Sequence, residues 1–411
     1  MKRWLTALFL VQVATGQVDL WDLPPLRYSD SPATDALSVV ASKLESGELK
    51  LKGKTSREKL EFVLEQLEVP ESSQVLVFSK TSKQIGKINP RNPRALYFSC
   101  DTYVGYVPGG AIEVIIEDPV LGPVFYLIDP YRRSGFEVMR DTSDCFSCHG
   151  TTRTENAPGM LIRSVFPDET GHSLLELGTT TVTHATPIEL RWGGYYVSGE
   201  SALPHLGNRT FEADGPTEPE HQAVDDLSVF FDTAKYLRKT SDVVALVVLE
   251  HQCKMHNLLT AASLRYRRAK FLSEVIKPDA DPDEGQAGRI ADRMAKGIVD
   301  ELLFKDEADL GEGLEGDEEF QHEFEAAYPR TAGGDSLADF KLYRRIFKNR
   351  CSYMVYSKAF SGLPPRVKSA VMKRLELALS AEDHEVAPHL KGSEKERIRE
   401  ILKETLPEWQ G

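Results

Sequence analysis

Two stretches near the start of the chain have the apolar spacing of amphipathic helices. The first covers 35–48, and the second begins at Thr55. Thr55 and Glu58 form the T-x-x-E pattern of a capping box, which predicts that a helix starts directly after Thr55. The apolar residues of this second helix share one face: Leu60, Val63, Leu64 and Leu67. We expect both helices to pack against a sheet.

From residue 74 onward, short apolar or alternating runs replace the helical spacing. Asn-Pro, Pro-Gly-Gly and Asp-Pro turn signals separate these runs, as is typical of consecutive β-strands. The predicted strands are 75–78, 95–98, 104–107, 112–116 and 124–128. They indicate a mainly antiparallel sheet of four to six strands. Residues 150–215, which follow, are rich in Gly, Pro, Thr and His, and this composition predicts irregular loops.

The pattern becomes helical again after an acidic, proline-containing stretch at 216–226, which we interpret as a linker. Long helices are expected within 226–272, above all an apolar helix over 243–264. The acidic, glycine-containing part of 300–335 is expected to form a solvated loop. Three more amphipathic helices are predicted, near 337–349, 365–380 and 393–404.

Together these elements predict an α+β chain with two domains. An antiparallel-sheet domain with irregular loops should cover 17–215, and an all-α domain should cover 216–411. Each part has an ordinary size for a domain, so both are long enough to form a core.

The first 16 residues have the three parts of a secretory signal. Lys2 and Arg3 provide a basic start, an apolar run follows, and the small residues at 14–16 suit cleavage. The apolar run is too short to cross a hydrocarbon core of about 30 Å as a helix, and no later stretch is long and apolar enough. We therefore expect a signal peptide at 1–16 and a mature protein in the periplasm or at the outer face of the inner membrane.

Residues Cys145-Phe146-Ser147-Cys148-His149 form a C-x-x-C-H motif, the signature of covalently attached haem c. Two thiols at this spacing can each add to a haem vinyl group, and His149 can then bind the iron as the proximal axial ligand. A structural zinc site would need a second Cys/His pair, and a thioredoxin-like redox pair would need a βαβ setting. The sequence predicts neither, so we expect one haem c bound through Cys145 and Cys148.

The sixth ligand of the iron is not determined by the spacing of the motif. The candidates are, in order of preference, His184 and His205, then His251 and His256 on the long apolar helix, then Met160. The alternative is an open site, in which Arg191 and a nearby histidine would be the polar groups of the haem pocket. The ordinary interpretation of the two helical histidines is a core position with satisfied hydrogen bonds.

The formal charge of the chain is −13, and it becomes −15 when Lys2 and Arg3 leave with the signal. This acidic balance disfavours nucleic acid and anionic membranes as partners. It allows docking to a basic patch on a redox partner protein.

Three thiols remain outside the haem motif, at Cys100, Cys253 and Cys351. In an oxidising compartment, Cys253 and Cys351 are the pair better suited to a disulfide, because both fall in the helical half. Burial of all three as apolar residues is the other interpretation, and the sequence leaves both open.

Long segments of the chain carry a resemblance to a known family. They are 23–29 (LPPLRYS), 73–82 (SQVLVFSKTS), 93–98 (PRALYF), 103–110 (YVGYVPGG), the haem motif, 191–199 (RWGGYYVSG), 249–252 (LEHQ) and 352–357 (SYMVYS). In these segments the chain resembles exported monohaem c-type cytochromes of planctomycete-type bacteria. The resemblance covers nearly all of the mature chain and implies a c-type cytochrome, without implying a particular activity. The chain departs from the family pattern at Ser99-Cys100, where an asparagine-aspartate-like turn is expected.

These features predict a periplasmic electron-transfer protein whose haem cycles between Fe(II) and Fe(III), because no second cofactor signature or hydrolytic constellation accompanies the motif. The alternative is a haem-based peroxidase-like enzyme or a small-gas sensor with an open distal site. Its motivation is a helical half larger than a simple electron shuttle needs. A third hypothesis is a non-catalytic interaction protein, in which the helical half is a docking platform and the haem is structural.

Overall fold

A computed structural model describes residues 19–131, 137–381 and 385–409. Its helices are α1 Ala36–Ser46, α2 Ser56–Gln66, α3 Phe146–His149, α4 Val243–Ile276, α5 Gln286–Leu302, α6 Glu318–Ala326, α7 Lys358–Ser361, α8 Pro365–Leu379 and α9 Gly392–Thr405. Its strands are β1 Val75–Val77, β2 Arg94–Phe98, β3 Thr102–Tyr106, β4 Ile112–Asp118, β5 Gly122–Ile128, β6 Val138–Asp141, β7 Arg163–Val165, β8 Thr179–Thr181, β9 Tyr195–Tyr196, β10 Glu200–Ser201, β11 Leu314–Glu315, β12 Phe340–Tyr343 and β13 Arg345–Phe347. The predicted signal peptide at 1–16 lies outside the described residues.

Seven strands form one antiparallel sheet in the order β6-β5-β4-β3-β2-β1-β9. The five strands predicted from the sequence are confirmed, and β6 and β9 extend the sheet at its two edges. Strands β2 to β5 follow one another through short turns, as the turn signals between them predict. The sheet is followed in the chain by helices, so the α+β class is confirmed.

Helices cover both faces of this sheet. Successive residues of a strand point to opposite faces, so each strand contributes to two cores. Val104 and Val114 lie in a core shared with Leu60 of α2. Val75 and Tyr103 lie in a second core shared with α4. The expected packing of α1 and α2 against a sheet is therefore confirmed, and its second face is covered by the helical half.

The central element of the helical half is α4, which is 34 residues long. The side chain of Asp242 accepts a hydrogen bond from the backbone N–H of Ala245 and caps its first turn. One hydrophobic core extends from Val75 in the sheet through α4 to Trp409 near the end of the chain. Residues on both sides of the predicted boundary at 215/216 therefore share this core. Within the described ranges, no helix has the length and apolar character needed to cross a membrane.

The helices at 365–380 and 393–404 are confirmed as α8 and α9. The helix expected within 226–272 begins only at Val243, because Asp242 caps it there, and it continues to Ile276. Residues 226–242 contain only short 3-10 turns. The prediction that all of 226–272 forms long helices is therefore wrong for its first part.

The acidic segment 300–335 is not one continuous loop. Helix α6 lies within it, and Asp317 caps the N-terminus of this helix. Phe320 and Phe324 are one turn apart and both are buried, which explains why an acidic stretch forms a packed helix. Acidic composition alone predicted the loop, and these two buried rings overturn that prediction.

The helix predicted near 337–349 is absent, and strands β12 and β13 form a hairpin there. Leu342 and Arg344 adopt positive φ at the turn, which is incompatible with a continuous helix. Phe340 and Phe347 pair across the hairpin with their rings stacked 5.3 Å apart. Cross-strand aromatic packing therefore decides the structure of this segment, and the second half is mainly, not entirely, helical.

Candidate haem-attachment site

Helix α3 is a single turn that presents both thiols of the C-x-x-C-H motif. Cys145 directly precedes this turn, and Cys148 lies three residues later, so both thiols fall on one side of it. Cys148 is exposed and Cys145 is partly buried. Burial, reinforced by the nearby carboxylate of Asp141, raises the pKa of the Cys145 thiol to about 12. Cys148 is therefore open to solvent, whereas the thiol of Cys145 is partly covered by its surroundings.

Phe146 anchors the motif to the sheet. Its buried ring lies 5.1 Å from the ring of Trp21, 5.2 Å from that of Tyr28 and 5.3 Å from that of Phe125. Full burial of such a side chain contributes roughly 1.5–3 kcal/mol. Phe146, the first variable residue of the motif, thus holds the two thiols and His149 against β5 and the N-terminal segment.

His149 is held in one orientation by its own loop. Its Nδ1 lies 2.7 Å from the carbonyl oxygen of Gly159, and the N–H of Gly159 donates back to the carbonyl of His149 at 2.9 Å. A carbonyl can only accept, so Nδ1 carries the proton. Burial lowers the pKa of His149, which favours the neutral imidazole with its lone pair on Nε2. Among the described residues, none forms a hydrogen bond to Nε2.

Asn257 of α4 ties this loop to the helical half. Its amide accepts from the N–H of Met160 at 2.8 Å and donates to the carbonyl of Met160 at 2.7 Å, as a neighbouring strand would. A Cβ at Gly159 would lie 2.3 Å from Asn257 Oδ1, so glycine is required for this close approach. The loop that accepts the Nδ1 proton of His149 is thereby held against α4.

The sheet face beside the motif is partly exposed. Leu96, Gly105, Glu113 and Leu127 are directly opposite one another on β2 to β5 and therefore share this face. Gly105 is buried and has no side chain, whereas the other three side chains are partly exposed. The ring of Phe125, two residues before Leu127, lies 5.2 Å from the His149 ring. A row of two leucines, a glycine and a glutamate thus lies next to the predicted axial ligand.

Arg94 and Glu113 form an ion pair of 2.8 Å on this same face. Burial raises the pKa of Glu113, but Arg94 and the hydrogen bonds of Gln84 and Ser82 outweigh it, so the pKa lies below its ordinary value. The pair also acts on the electrostatics of His149. Arg94 and Glu113 are thus charged groups that act on His149, while Asp141 lies beside Cys145.

His184 and His251 lie together, in the core between α4 and α5. Their Nδ1 atoms are 3.0 Å apart, and Glu301 Oε1 lies 3.0 Å from Nδ1 of His184. Phe304 stacks on the His251 ring at 4.2 Å. Burial lowers the pKa of His184, but the Glu301 carboxylate more than offsets it. Burial, followed by the effect of His184, depresses the pKa of His251. The structure thus places the first and third candidate distal ligands in one cluster.

Arg191 lies beside this cluster and is fully buried. Its Nη1 donates to Glu250 Oε2 at 2.6 Å, and Trp192 Nε1 donates to Glu250 Oε1 at 2.8 Å. The other guanidinium nitrogens donate to the backbone carbonyls of Thr186 and His184. The guanidinium of the predicted haem-pocket arginine is therefore engaged inside the protein, with Glu250 of α4 as its counter-charge.

His205 and His256 occupy two further buried positions. The His205 ring lies 4.9 Å from that of Trp192, its Nδ1 accepts from the N–H of Gly207, and burial lowers its pKa to about 4. His256 Nδ1 lies 2.7 Å from the hydroxyl of Tyr103, and its Nε2 has no hydrogen-bond partner among the described residues. The structure does not bring either histidine to the Nε2 side of His149.

Several residues of these sites carried no signal in the sequence. Gly159 supplies the carbonyl for His149, and Glu301 completes the histidine cluster although it is an ordinary helix residue by pattern. Glu250 did carry a signal in the sequence, because a carboxylate in an apolar helix requires a partner.

Cys253 and Cys351 are buried thiols and are not bridged, and Cys100 is also free.

No family model, no curated protein and no solved structure matches this chain. Membership of the exported monohaem cytochromes therefore stays a prediction from the quoted segments.

Proposed function

We propose that the chain is a c-type cytochrome that binds one haem through Cys145 and Cys148, with His149 as an axial ligand of the iron. The observation that carries this proposal is the hydrogen bond from His149 Nδ1 to the carbonyl of Gly159. Histidines that bind metals almost always donate their other ring nitrogen to a carbonyl or carboxylate, which sets the tautomer and the ring orientation. Together with two accessible thiols on one helical turn, the donor set fits haem c.

The residues of the chain would perform separate tasks at this site. Cys145 and Cys148 would hold the macrocycle covalently, and Phe146 would keep the motif fixed against the sheet. His149 would present its Nε2 lone pair, since Gly159 keeps the proton on Nδ1. When bound, haem c supplies reversible one-electron exchange at iron. A rigid proximal loop suits that chemistry, because small changes in ligand position on oxidation and reduction cost little in a preorganised site.

The face of the sheet that carries Leu96, Gly105 and Leu127 would cover one part of the macrocycle. Leu96 and Leu127 offer apolar surface there, while the side chain of Glu113 lies over Gly105, with its Oε2 3.0 Å from the place that a Cβ would take. Arg94 stands on the same face and offers a cation suited to a propionate. The site therefore provides both the apolar and the charged contacts that haem needs.

A second candidate function follows from the positions of the five predicted distal ligands. His184 and His251 contact one another and Glu301, the backbone of Met160 bonds to Asn257, and His256 contacts the hydroxyl of Tyr103. His205 packs on Trp192. If none of these five residues moves when haem binds, no side chain would fill the sixth coordination position of the iron. A small gas or peroxide would then be able to bind there.

Maturation of the full chain in cells that attach haem c tests the proposal. We expect the mass of one haem per chain, retained after denaturation, and a reduced spectrum typical of haem c. Cys145→Ala/Cys148→Ala should abolish covalent attachment, and His149→Ala should keep attachment but change the spin state. Cys100→Ala, a thiol outside the motif, is the matched control and should change nothing. Wild-type protein without the haem mass, or with zinc in its place, would overturn the proposal.

The two candidate functions separate in one further measurement. Rapid binding of carbon monoxide to the ferrous protein, with a high-spin ferric spectrum, would favour the small-ligand function. A six-coordinate spectrum in both redox states without carbon monoxide binding would favour electron transfer to a partner protein. We further propose export by the 1–16 signal, and a redox partner with a basic patch complementary to the charge of −15 left after Lys2 and Arg3 are removed.

A further inference from the structure

We propose that His184, His251 and Glu301 bind one divalent transition-metal cation, with Zn²⁺ as the preferred ion. Three ligand atoms converge, namely the two Nδ1 atoms and Glu301 Oε1. The three distances between them are 3.0, 3.0 and 3.8 Å. Ligands in a tetrahedral zinc site with bonds of about 2.05 Å lie about 3.3 Å apart, so a cation fits between these three atoms without rearrangement.

The outer hydrogen bonds of both imidazoles turn Nδ1 toward the shared point. His184 Nε2 lies 3.1 Å from the backbone carbonyl of Lys305, which can only accept, so Nε2 carries the proton. His251 Nε2 lies 2.7 Å from Ser352 Oγ, which is also able to accept. With both protons directed outward, two nitrogen lone pairs and a carboxylate oxygen face one another. Such outer partners are the usual companions of metal-binding histidines.

A cation would also resolve an unsatisfied polar group. Glu301 Oε1 is inaccessible to solvent and has no hydrogen-bond partner in the described part of the chain, although it points at the two rings. The side chain of Glu301 is 14% exposed, whereas those of His184 and His251 are 1% and 0% exposed. Buried acceptors without donors are costly, so a positive charge at this point is strongly favoured.

The surroundings suit a divalent ion in charge and in donor type. Glu307 lies near enough to His184 to affect its electrostatics, so two carboxylates would balance a charge of +2. Two imidazole nitrogens and one carboxylate oxygen are the ligands that zinc and other late first-row ions prefer over Mg²⁺ or Ca²⁺. The stacked ring of Phe304 closes one side of the cluster.

The ion would join parts of the chain that are far apart in sequence. His184 belongs to the loop after β8, His251 to the N-terminal third of α4, and Glu301 to the last turn of α5. A bound cation would therefore cross-link the loop region to the helical half. The assignment also removes His184 and His251 from the candidates for the sixth haem ligand, and it does not depend on the haem proposal.

Metal analysis and calorimetry on the purified full chain test this site. After treatment with a chelator, the wild-type protein should bind one equivalent of Zn²⁺. Glu301→Gln, which keeps the shape of the side chain, should weaken zinc binding at least about 100-fold, and His251→Asn should do the same. Glu312→Gln is the control, since its side chain is 75% exposed and provides no ligand atom, and it should stay within a few-fold of the wild type.

Two results would overturn the proposal. The first is zinc affinity that is equal in the wild type and in Glu301→Gln, which would mean that a proton shared by His184 and Glu301 fills the cluster. The second is a change of haem spin state in His251→Asn, which would assign this histidine to the haem iron. Far-UV circular dichroism of each variant shows whether it is folded, and Glu301→Gln provides the comparison if His251→Asn does not fold.

Discussion

Replacing Glu250 by glutamine should destabilise the protein by about 3–5 kcal/mol. The side chains of Arg191 and Glu250 have no exposed surface, and their charged groups are 2.6 Å apart. Glutamine keeps an acceptor for Trp192 Nε1 but removes the negative charge. The guanidinium does not release its proton at neutral pH, so an uncompensated positive charge would remain in the core.

The expected cost comes from the loss of one partner, because the intact pair adds little net stability. Burial raises the pKa of Glu250 above its ordinary value, although Arg191 and Trp192 oppose the shift. Desolvation therefore consumes much of the attraction between the two charges. The surface pair Arg344–Asp309, at 3.1 Å with side chains 52% and 59% exposed, provides the contrast. Asp309→Asn should cost less than about 1 kcal/mol.

Urea unfolding at pH 7, followed by far-UV circular dichroism, gives the free energy of unfolding of each variant. Arg191→Met and the double variant with Glu250→Gln complete a double-mutant cycle, for which we expect a coupling energy of about 2 kcal/mol or more. Under the proposed haem attachment, the spectrum of folded Glu250→Gln should match the wild type, because Arg191 and Glu250 bond to each other, to Trp192 and to backbone carbonyls outside the motif. A cost for Glu250→Gln no larger than for Asp309→Asn would refute this account of the buried pair.

Two further predictions concern packing and pH. Gly150→Ala should destabilise the protein by about 1–3 kcal/mol, because its Cβ would lie 2.5 Å from the Trp21 ring. Gly297→Ala, at an exposed position of α5, should stabilise it by about 0.5–1 kcal/mol. Urea unfolding measures both free energies, and equal effects of the two variants would contradict the packing of Gly150 against Trp21. His205 has a pKa of about 4 in the folded protein against about 6.5 when unfolded, so stability should fall by about 3 kcal/mol as the pH drops from 6.5 to 4. His205→Gln should reduce this loss, and an unchanged pH profile would contradict the assignment.

Local signals predicted much of the fold correctly. The capping box at Thr55, the turn signals between β2 and β5, and the apolar run that became α4 depend on neighbouring residues, so a sequence alone reveals them. The predictions for 300–335 and 337–349 were wrong. In both segments, aromatic residues find partners distant in sequence, and these contacts outweighed composition and helical spacing.

The sequence by itself determined which reactive groups the C-x-x-C-H motif offers. Two thiols and an imidazole within five residues lie close together whatever the fold around them. Only the tertiary structure decided what surrounds them. The carbonyl that orients His149 comes from Gly159, and the carboxylate that meets His184 comes from Glu301, 117 positions later. Contacts of this kind depend on how α4 and α5 pack against the loops and the sheet, and no local pattern encodes that packing. For the same reason, His184 and His251 meet in one cluster, whereas His205 and His256 occupy two other buried positions.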